Sequence, residues 1–245
     1  MTHPETAVLP DNHLLEGLSE STRTRIRPHL KLVELSLGDV IYESGQHIDH
    51  VYFPIDSIVS LLYVTVNGAS AEIAIIGNDG FVGVSVVLGA DSTLNQAVVQ
   101  SRGSAYRMSV GKLKEELNNH SELRVRTLRY TQALITQMSQ TAVCNRHHSI
   151  EQQMCRWLLL SLDRLRDNHI DMTHELIANM LGVRREGVTH AARRLQDAGA
   201  IHYQRGHITV TDRALLERLT CECYAVVKRE ASRLEYPDSL PAAQR

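Results

Sequence analysis

The chain has 245 residues, of which 43% are hydrophobic, 22% are charged and 4% are aromatic. This composition excludes a disordered tail and allows one large domain or two small ones with a mainly aliphatic core. The 26 Lys and Arg residues against 28 Asp and Glu residues leave a formal net charge of −2. That balance excludes a protein whose whole surface is basic and binds nucleic acid, but it allows a basic patch on one face.

No apolar run reaches the ~18 residues that a membrane-spanning helix needs, and residues 1–13 lack the basic and apolar segments of a signal peptide. The four cysteines are few for this length, which fits reduced thiols better than a disulfide framework. We therefore expect a cytoplasmic protein that does not associate with a membrane.

Residues 31–108 predict a β-domain, preceded by a short helical segment over residues 12–30. Short runs rich in Val, Ile and Tyr alternate with turn residues, and Asn67-Gly68 is the strongest hairpin signal because both residues tolerate positive φ. Their number and spacing favour an antiparallel sandwich or barrel. The eight predicted strands are Lys31–Leu35, Val40–Tyr42, Val51–Phe53, Ile58–Val66, Ala71–Ile76, Val82–Leu88, Ala97–Val99 and Ala105–Met108.

The chain becomes helical after this β-domain. Ser109 can cap a short helix that ends near Leu117, and Ser121 can cap a longer one. Five side chains of the longer helix alternate at three- and four-residue spacing, which is typical of a narrow coiled-coil seam. We interpret it as a dimerisation helix, with ordinary packing against the β-domain as the alternative. The predicted dimer-interface residues are Leu128, Thr131, Ile135, Met138 and Ala142.

Residues 145–149 interrupt that seam, and a further helix is predicted from Ile150 to Arg166. We therefore divide the chain into a β-domain with flanking helices over residues 12–118, the dimerisation helix over 119–146, and a C-terminal domain over 147–236. The last ten residues predict a frayed tail.

Residues 173–197 carry the pattern of a helix-turn-helix. Thr173 can cap the first helix, and Ala178 is small where two helices must cross closely. Gly182 supplies a turn residue for which positive φ is wanted, and Val188 points the second helix inward.

The second helix exposes a row of polar side chains, and its first turn would meet base edges in a major groove. An arginine can bond a guanine bidentately, and Glu186 can accept a hydrogen bond from a cytosine amino group. Thr173, Arg193 and Arg194 are better placed for phosphates. The predicted DNA-binding residues are Thr173, Arg184, Arg185, Glu186, Thr189, His190, Arg193 and Arg205.

The residues after this helix predict a wing. Ile201–Tyr203 and Ile208–Val210 alternate as two strands, with Arg205 at the tip between them. Residues 173–210 contain five arginines and three acidic residues, a net charge of +2, so the basic surface is local. A winged helix that binds only protein is the alternative. The elements together predict an α+β chain with an N-terminal antiparallel β-barrel, a long helix and a C-terminal winged helix-turn-helix.

This order of parts resembles the Crp/Fnr family of bacterial transcription regulators over about residues 14–212. The segment IYESGQHIDHVYFPIDSIVSLL, residues 41–62, is similar to the family's opening hairpins, and THELIANMLGVRREGVTHAARRL, residues 173–195, is similar to its DNA-binding motif. The resemblance implies a jelly-roll barrel of the cyclic-nucleotide-binding type and a homodimer that reads two-fold symmetric double-stranded DNA. It also implies RNA polymerase as a partner. By the same resemblance Arg185, Glu186 and His190 occupy the base-reading positions, of which the last is usually arginine.

The effector pocket departs from the family pattern. Cyclic-nucleotide-binding members carry a Gly-Glu pair and, about ten residues later, an Arg-Ser or Arg-Thr pair that neutralises the cyclic phosphate. Here Val84 follows Gly83, the arginine position falls at Leu94 or Asn95, and residues 32–101 contain no Lys or Arg. Because a buried phosphate without a cation is poorly compensated, we expect no cyclic AMP binding of the usual kind. The effector is unknown, and the predicted pocket residues are Val84, Ser85, Asn95 and Gln96.

The sequence gives weaker support for an iron–sulfur cluster, a zinc site or thiol redox chemistry. An iron–sulfur cluster of the family's oxygen-sensing branch needs N-terminal cysteines, and the first cysteine here is Cys144. Cys144, His147, His148 and Cys155 match no common zinc spacing. Cys221 and Cys223, two residues apart on one predicted helix capped by Asp212, would point in different directions, which leaves a redox role as their functional alternative. We expect no metal site and no bound cofactor.

A cupin-like metal enzyme is the second function class, since His47 and His50 lie in the β-domain. Their His-x-x-His spacing differs from the His-x-His of such barrels, and residues 51–119 contain no histidine. A partner-binding barrel that acts without DNA is the third class. The sequence favours a dimeric DNA-binding regulator without enzymatic activity, and no catalytic residue is assigned.

Overall fold

A computed structural model describes residues 12–235. Within them, seven strands form two antiparallel sheets of an N-terminal β-domain, ordered β1-β7-β3 and β2-β6-β4-β5. The strands are β1 (Lys31–Leu35), β2 (Val40–Tyr42), β3 (His50–Pro54), β4 (Ile58–Val64), β5 (Ser70–Ile76), β6 (Gln96–Ser101) and β7 (Gly103–Ser109).

The core of this domain is aliphatic with a few aromatic rings, as the composition predicts. Val51, Phe53, Ile76 and Phe81 are fully buried between the sheets. The leading segment consists of α1 (His13–Glu16), α2 (Glu20–Ile26) and a 3₁₀ turn at Arg27–His29, and its apolar side chains belong to the same core.

The prediction of a strand over Val82–Leu88 is wrong. Only Val82 pairs, as a single bridge to Tyr52, and the chain then forms the short helix α3 (Val84–Val87). Gly83 has φ +105°, and a Cβ at this position would lie 2.8 Å from Val51 Cγ1. The glycine therefore permits both the close approach and the left-handed turn that ends extended structure. A short apolar run cannot reveal this, because it suits a strand and a buried helix equally.

Two helices follow the β-domain, α4 (Val110–Asn119) and α5 (Ser121–His147), and α6 (Ile150–Leu162) then begins the C-terminal domain. Ser109 caps α4 as predicted, by accepting a hydrogen bond from Lys112 N at 3.4 Å. Ser121 does not cap α5; it is the first helical residue, and His120 occupies the cap position without a side-chain hydrogen bond. The predicted helix Ile150–Arg166 ends earlier, at Leu162.

The C-terminal domain contains helices and a three-stranded sheet, ordered β8-β10-β9. Its elements are β8 (His169–Asp171), α7 (His174–Leu181), α8 (Arg185–Asp197), β9 (Ile201–Gln204), β10 (His207–Val210), α9 (Arg213–Leu219) and α10 (Glu222–Glu235). The prediction of one C-terminal helix is wrong. Asp212 caps α9, but the backbone is extended at Thr220, and a second helix starts at Glu222.

The two domains share apolar and ionic contacts. Ile58 and Ile75 of the β-domain join the core of the C-terminal domain, which is built around Trp157 of α6. The buried Arg164 guanidinium donates to both carboxylate oxygens of Asp79, at 3.0 and 2.6 Å. These contacts couple the position of the C-terminal domain to the β-domain. Across the described ranges, no helix combines the length and the apolarity needed to cross a membrane.

Candidate nucleic-acid interface

The turn between α7 and α8 forms as the sequence predicts. Thr173 Oγ1 accepts a hydrogen bond from Leu176 N at 3.3 Å and starts α7. Gly182 has φ +66°, and its N–H donates to Ala178 O. Ala178 and Val188 are both buried in the core that joins the two helices. The small Ala178, the flexible Gly182 and the apolar Val188 therefore lie where the crossing of α7 and α8 requires them.

Helix α8 is amphipathic, with one face in the domain core and the other in solvent. Val188, Ala191, Ala192 and Leu195 are buried. Arg184 occupies the N-cap position with an extended backbone, outside the helix proper. Each predicted contact residue on this segment is exposed, namely Arg184, Arg185, Glu186, Thr189, His190 and Arg193, as is Arg194.

Weak ion pairs hold three of these arginines. Arg185 Nε lies 3.9 Å from Glu175, Arg193 Nε lies 3.9 Å from Asp197, and Arg194 Nε lies 3.4 Å from Glu151 of α6. Exposed pairs of this length contribute roughly 0–1 kcal/mol. Exchanging these carboxylates for phosphates would therefore cost little.

The wing is a tight hairpin of β9 and β10. Arg205 and Gly206 both have positive φ, +50° and +87°, which is the backbone of a type I′ turn. Arg205 is exposed at the tip, as predicted. Met172 N donates to Gly206 O at 2.7 Å, which ties the tip to the segment just before Thr173. The sequence does not indicate the third strand, β8, because His169–Asp171 contains a single apolar residue, Ile170.

His174 is a functional candidate that the sequence alone does not indicate. Its ring stacks on Tyr203 of the wing at 4.2 Å, and its Nδ1 lies 3.0 Å from Thr189 Oγ1 on α8. The Thr189 hydroxyl donates its one proton to Arg185 O, so the proton in the contact with His174 belongs to Nδ1. His174 thus links α7, α8 and the wing, a contact set that only the folded arrangement reveals.

Burial and the charge of Arg185 hold His174 in its neutral form. Burial lowers the pKa of His174 most, and the guanidinium of Arg185 lowers this pKa further. Nε2 is buried and has no hydrogen-bond partner among the described residues, so a proton there would be uncompensated.

A neutral cavity of about 150 Å³ lies in the β-domain, against α5. Three of the four predicted pocket residues, Val84, Ser85 and Asn95, line it. Gln96 is not among the lining residues, and its amide instead donates to Glu43 at 2.7 Å.

The polar groups of this cavity are all uncharged. Tyr42 OH donates to Asn95 Oδ1 at 3.3 Å, and Asn95 Nδ2 donates to Thr93 Oγ1 at 2.9 Å. Burial raises the pKa of Tyr42, which keeps its hydroxyl protonated. No lining residue carries a charge, so the cavity suits a small apolar or neutral molecule better than a phosphate.

Helix α5 presents different faces to the cavity and to solvent. Thr131, Leu134, Ile135 and Met138 line the cavity, and Thr131 is only 3% exposed. Leu128 and Ile135 are 44% and 47% exposed, and Ala142 is exposed as well. Of the predicted seam, Thr131 and Met138 therefore lie toward this chain's own β-domain, and Leu128 and Ala142 remain open. Ile135 lies at the border, since it lines the cavity and is still 47% exposed. Val125 and Val143 add to the open face, which we call the α5 stripe.

The described residues do not assemble a cupin-like metal site. His47 lies near Asp49, with 3.6 Å between Nε2 and Oδ1, and both side chains are exposed. The groups of three or more potential metal ligands found in the described part of the chain are Cys144, His148, Cys221 and Cys223 in one place, and His169, Asp171 and His207 in another. Neither group includes His47 or His50.

Comparison with known proteins identifies both domains. A family model for the cyclic nucleotide-binding domain matches residues 32–120, and one for the Crp-like helix-turn-helix domain matches residues 152–219. A search of curated proteins finds no match.

Several solved structures share the fold. FixK2 from Bradyrhizobium japonicum has a TM-score of 0.65 and 15% identity, covering 78% of this chain and 98% of its own. A CRP-family transcriptional regulator from Thermus thermophilus has a TM-score of 0.63 and 17% identity, covering 76% and 95%. CLP from Xanthomonas campestris, a c-di-GMP-responsive global regulator, has a TM-score of 0.63 and 12% identity, covering 79% and 100%. At these identities the likeness concerns the fold.

Proposed function

We propose that this chain, whose two domains match the models for the cyclic nucleotide-binding domain and the Crp-like helix-turn-helix domain, is a Crp/Fnr-type transcription regulator that binds two-fold symmetric DNA sites as a homodimer. The observation that carries this proposal is the exposed polar face of α8, which lies beside a wing with Arg205 at its tip. Such a protein acts in the cytoplasm, where DNA and RNA polymerase are its partners, and it performs no catalysis of its own.

We assign each DNA contact by where the residue lies relative to the N-terminal turn of α8. Arg184, Arg185, Glu186, Thr189 and His190 lie at or near its N-terminal turn, where base edges are met. Thr173, Arg193 and Arg205 contact phosphates and set the register. His190 lies where family members usually carry arginine. The half-site sequence that this protein prefers therefore differs from theirs.

The α5 stripe is the proposed dimer contact. Val125, Leu128, Ile135, Ala142 and Val143 present an apolar surface along a helix of 27 residues, and association would remove it from water. Pairing along α5 would set two α8 helices about one turn of DNA apart, roughly 34 Å.

The effector, if one acts, is a small neutral molecule. The cavity of about 150 Å³ is the size that accepts a benzene-like guest, and its walls include Thr131, Ile135 and Met138 of α5. A ligand there would touch the helix that carries the dimer contact, and it would shift the population of DNA-competent dimers.

Selection of bound fragments from a random DNA pool tests the proposed function. We expect enrichment of an inverted repeat whose half-sites lie about 10–10.5 base pairs apart, or a multiple of that. Enrichment of a single unrepeated motif, or none, would contradict dimeric base readout. Repeating the selection with cell extract shows whether an effector changes the outcome.

A further inference from the structure

Three cysteines and one histidine from distant parts of the chain meet where α5 ends and α10 begins. Cys144 lies in the last turn of α5, and His148 follows that helix directly. Cys221 and Cys223 lie on either side of Glu222, the first residue of α10. The three sulfurs and the ring nitrogen all lie within 4.8 Å of one another.

The spacing of these atoms fits a tetrahedral metal ion. Cys144 Sγ is 3.5 Å from Cys221 Sγ, and Cys223 Sγ is 3.7 Å from His148 Nδ1. Zinc–sulfur bonds of about 2.3 Å and zinc–nitrogen bonds of about 2.0–2.1 Å place tetrahedral ligands roughly 3.5–3.8 Å apart. The observed pairs therefore need only small movements to surround one ion.

The second ring nitrogen of His148 has the partner that a metal-bound histidine usually has. Its Nε2 lies 3.3 Å from the Glu222 carboxylate. A histidine that binds a metal through Nδ1 carries its proton on Nε2 and donates it to such a carboxylate, which fixes the tautomer and the ring orientation. Glu222 thus supports metal binding through His148 without being a ligand itself.

The break between α9 and α10 is what brings the thiols together. On one continuous helix Cys221 and Cys223 would point about 160° apart, since two residues turn by about 200°. The extended backbone at Thr220 leaves Cys221 outside α10, so both thiols face the end of α5. All three cysteines are buried and free of disulfides.

We propose that Cys144, His148, Cys221 and Cys223 bind one zinc ion in a closed tetrahedral site that clamps α10 to the end of α5. Four protein ligands leave no open position, which is the arrangement of a structural rather than a catalytic zinc. This proposal replaces the expectation of no metal site, which rested on spacing along the sequence. It concerns the stability of the chain and does not depend on DNA binding.

Cobalt titration of the full-length protein tests the site. The purified chain is reduced, stripped of metal with a chelator and titrated with Co²⁺ without oxygen. We expect one Co²⁺ per chain, with the intense visible absorption of four-coordinate cobalt and the near-ultraviolet band of thiolate ligation. Added Zn²⁺ should bleach both, and it should raise the unfolding temperature above that measured with chelator.

Matched variants distinguish the proposed zinc ligands from nearby residues that should not bind the ion. His148→Ala and Cys223→Ser should lose the four-coordinate spectrum, and Glu222→Gln should weaken Co²⁺ binding by about 10–100-fold. His147→Ala changes the exposed neighbour of His148, and Cys155→Ser changes a buried thiol outside the group, so both should bind Co²⁺ like the wild type. Circular dichroism with chelator confirms that each variant folds.

The wild-type titration tests the proposed zinc site even where a cysteine variant fails to fold. A reduced wild-type chain that takes up no stoichiometric Co²⁺ or Zn²⁺ would overturn the proposal. So would a four-coordinate spectrum that survives in folded His148→Ala and Cys223→Ser. A Cys144–Cys221 disulfide whose reduction restores no metal binding would assign the group to thiol redox chemistry instead.

Discussion

Arg185 is the side chain on which the proposed base recognition depends most. It leaves the first turn of α8 with 67% of its side chain exposed, and its ion pair with Glu175 is long. Arg185→Ala should weaken binding to the selected site by roughly 1–3 kcal/mol and relax the base preference at one position. Fluorescence anisotropy with the selected site and with random DNA measures both effects.

Arg218→Ala is the matched control, because Arg218 is an exposed arginine on α9 rather than on α8. Its affinity for the selected site should equal that of the wild type. If Arg185→Ala weakened binding to random DNA by the same amount, Arg185 would be a phosphate contact rather than a base contact.

Glu72 is a buried carboxyl that the fold protonates more readily than the unfolded chain does. Ser60 Oγ lies 2.6 Å from Glu72 Oε2 and 2.7 Å from Gln100 Oε1. One hydroxyl proton cannot serve both oxygens, whereas a protonated Glu72 donates to Ser60 and lets Ser60 donate to Gln100. Burial raises the pKa of Glu72 to about 7, against the lowering effects of the Ser60 hydrogen bond and of Arg156 and Arg164.

This pKa makes stability depend on pH. The folded state binds the proton more tightly than the unfolded state, so the contribution is complete at low pH and is lost as the pH rises toward the folded value of about 7. Between about pH 5 and pH 8, the wild type should lose roughly 2–3 kcal/mol of unfolding free energy relative to Glu72→Gln. Urea unfolding at each pH measures the difference, and parallel pH profiles for the two proteins would refute the assignment.

Some residue roles could be predicted from local chemistry alone. Thr173 and Gly182 follow from the rules for capping and positive φ, which involve only neighbours along the chain. His174 could not be predicted, because its contact with Tyr203 depends on how the wing packs beside α7.

At the scale of elements, α5 carries the dimer prediction. Ile135 lies near the middle of the α5 stripe and is 47% exposed. An aspartate there would place a charge in an apolar contact, so Ile135→Asp should produce monomers with weak affinity for the selected site. Multi-angle light scattering measures the mass.

Asn145→Asp is the control, since Asn145 is exposed on α5 but lies outside the stripe. It should remain dimeric. An Ile135→Asp protein with the wild-type mass would show that the chains do not associate through this helix.

The predicted elements failed where tertiary packing overrides a local pattern. The 3-4 spacing on α5 picks out apolar positions, but it cannot tell which of them meet the chain's own β-domain, so it included the buried Thr131. The run Val82–Leu88 looked extended because its one break, Gly83, is a close contact with Val51 rather than a visible turn signal.

In the whole molecule, the neutral cavity beside α5 is the proposed effector site. Because none of its lining residues is charged, titration of cyclic AMP into the protein should give no heat of binding in a calorimeter. Tight binding would show that a cation reaches the nucleotide from elsewhere, and it would overturn the assignment of Val84 and Asn95.

The order of the domains follows from the sequence, but their contacts do not. Ile58 and Ile75 look like ordinary strand residues, and only the structure shows them packed with the core around Trp157. The cysteine–histidine group is likewise invisible, because 77 residues separate Cys144 from Cys221. Contacts between distant segments leave no periodic signal in a single sequence.

Hydroxyl-radical footprinting on a site selected from random DNA shows whether two chains place their α8 helices in consecutive major grooves. Two chains bound in this way should protect two equivalent regions about one helical turn apart, at a stoichiometry of two chains per duplex. A single protected region bound by one chain would contradict this arrangement.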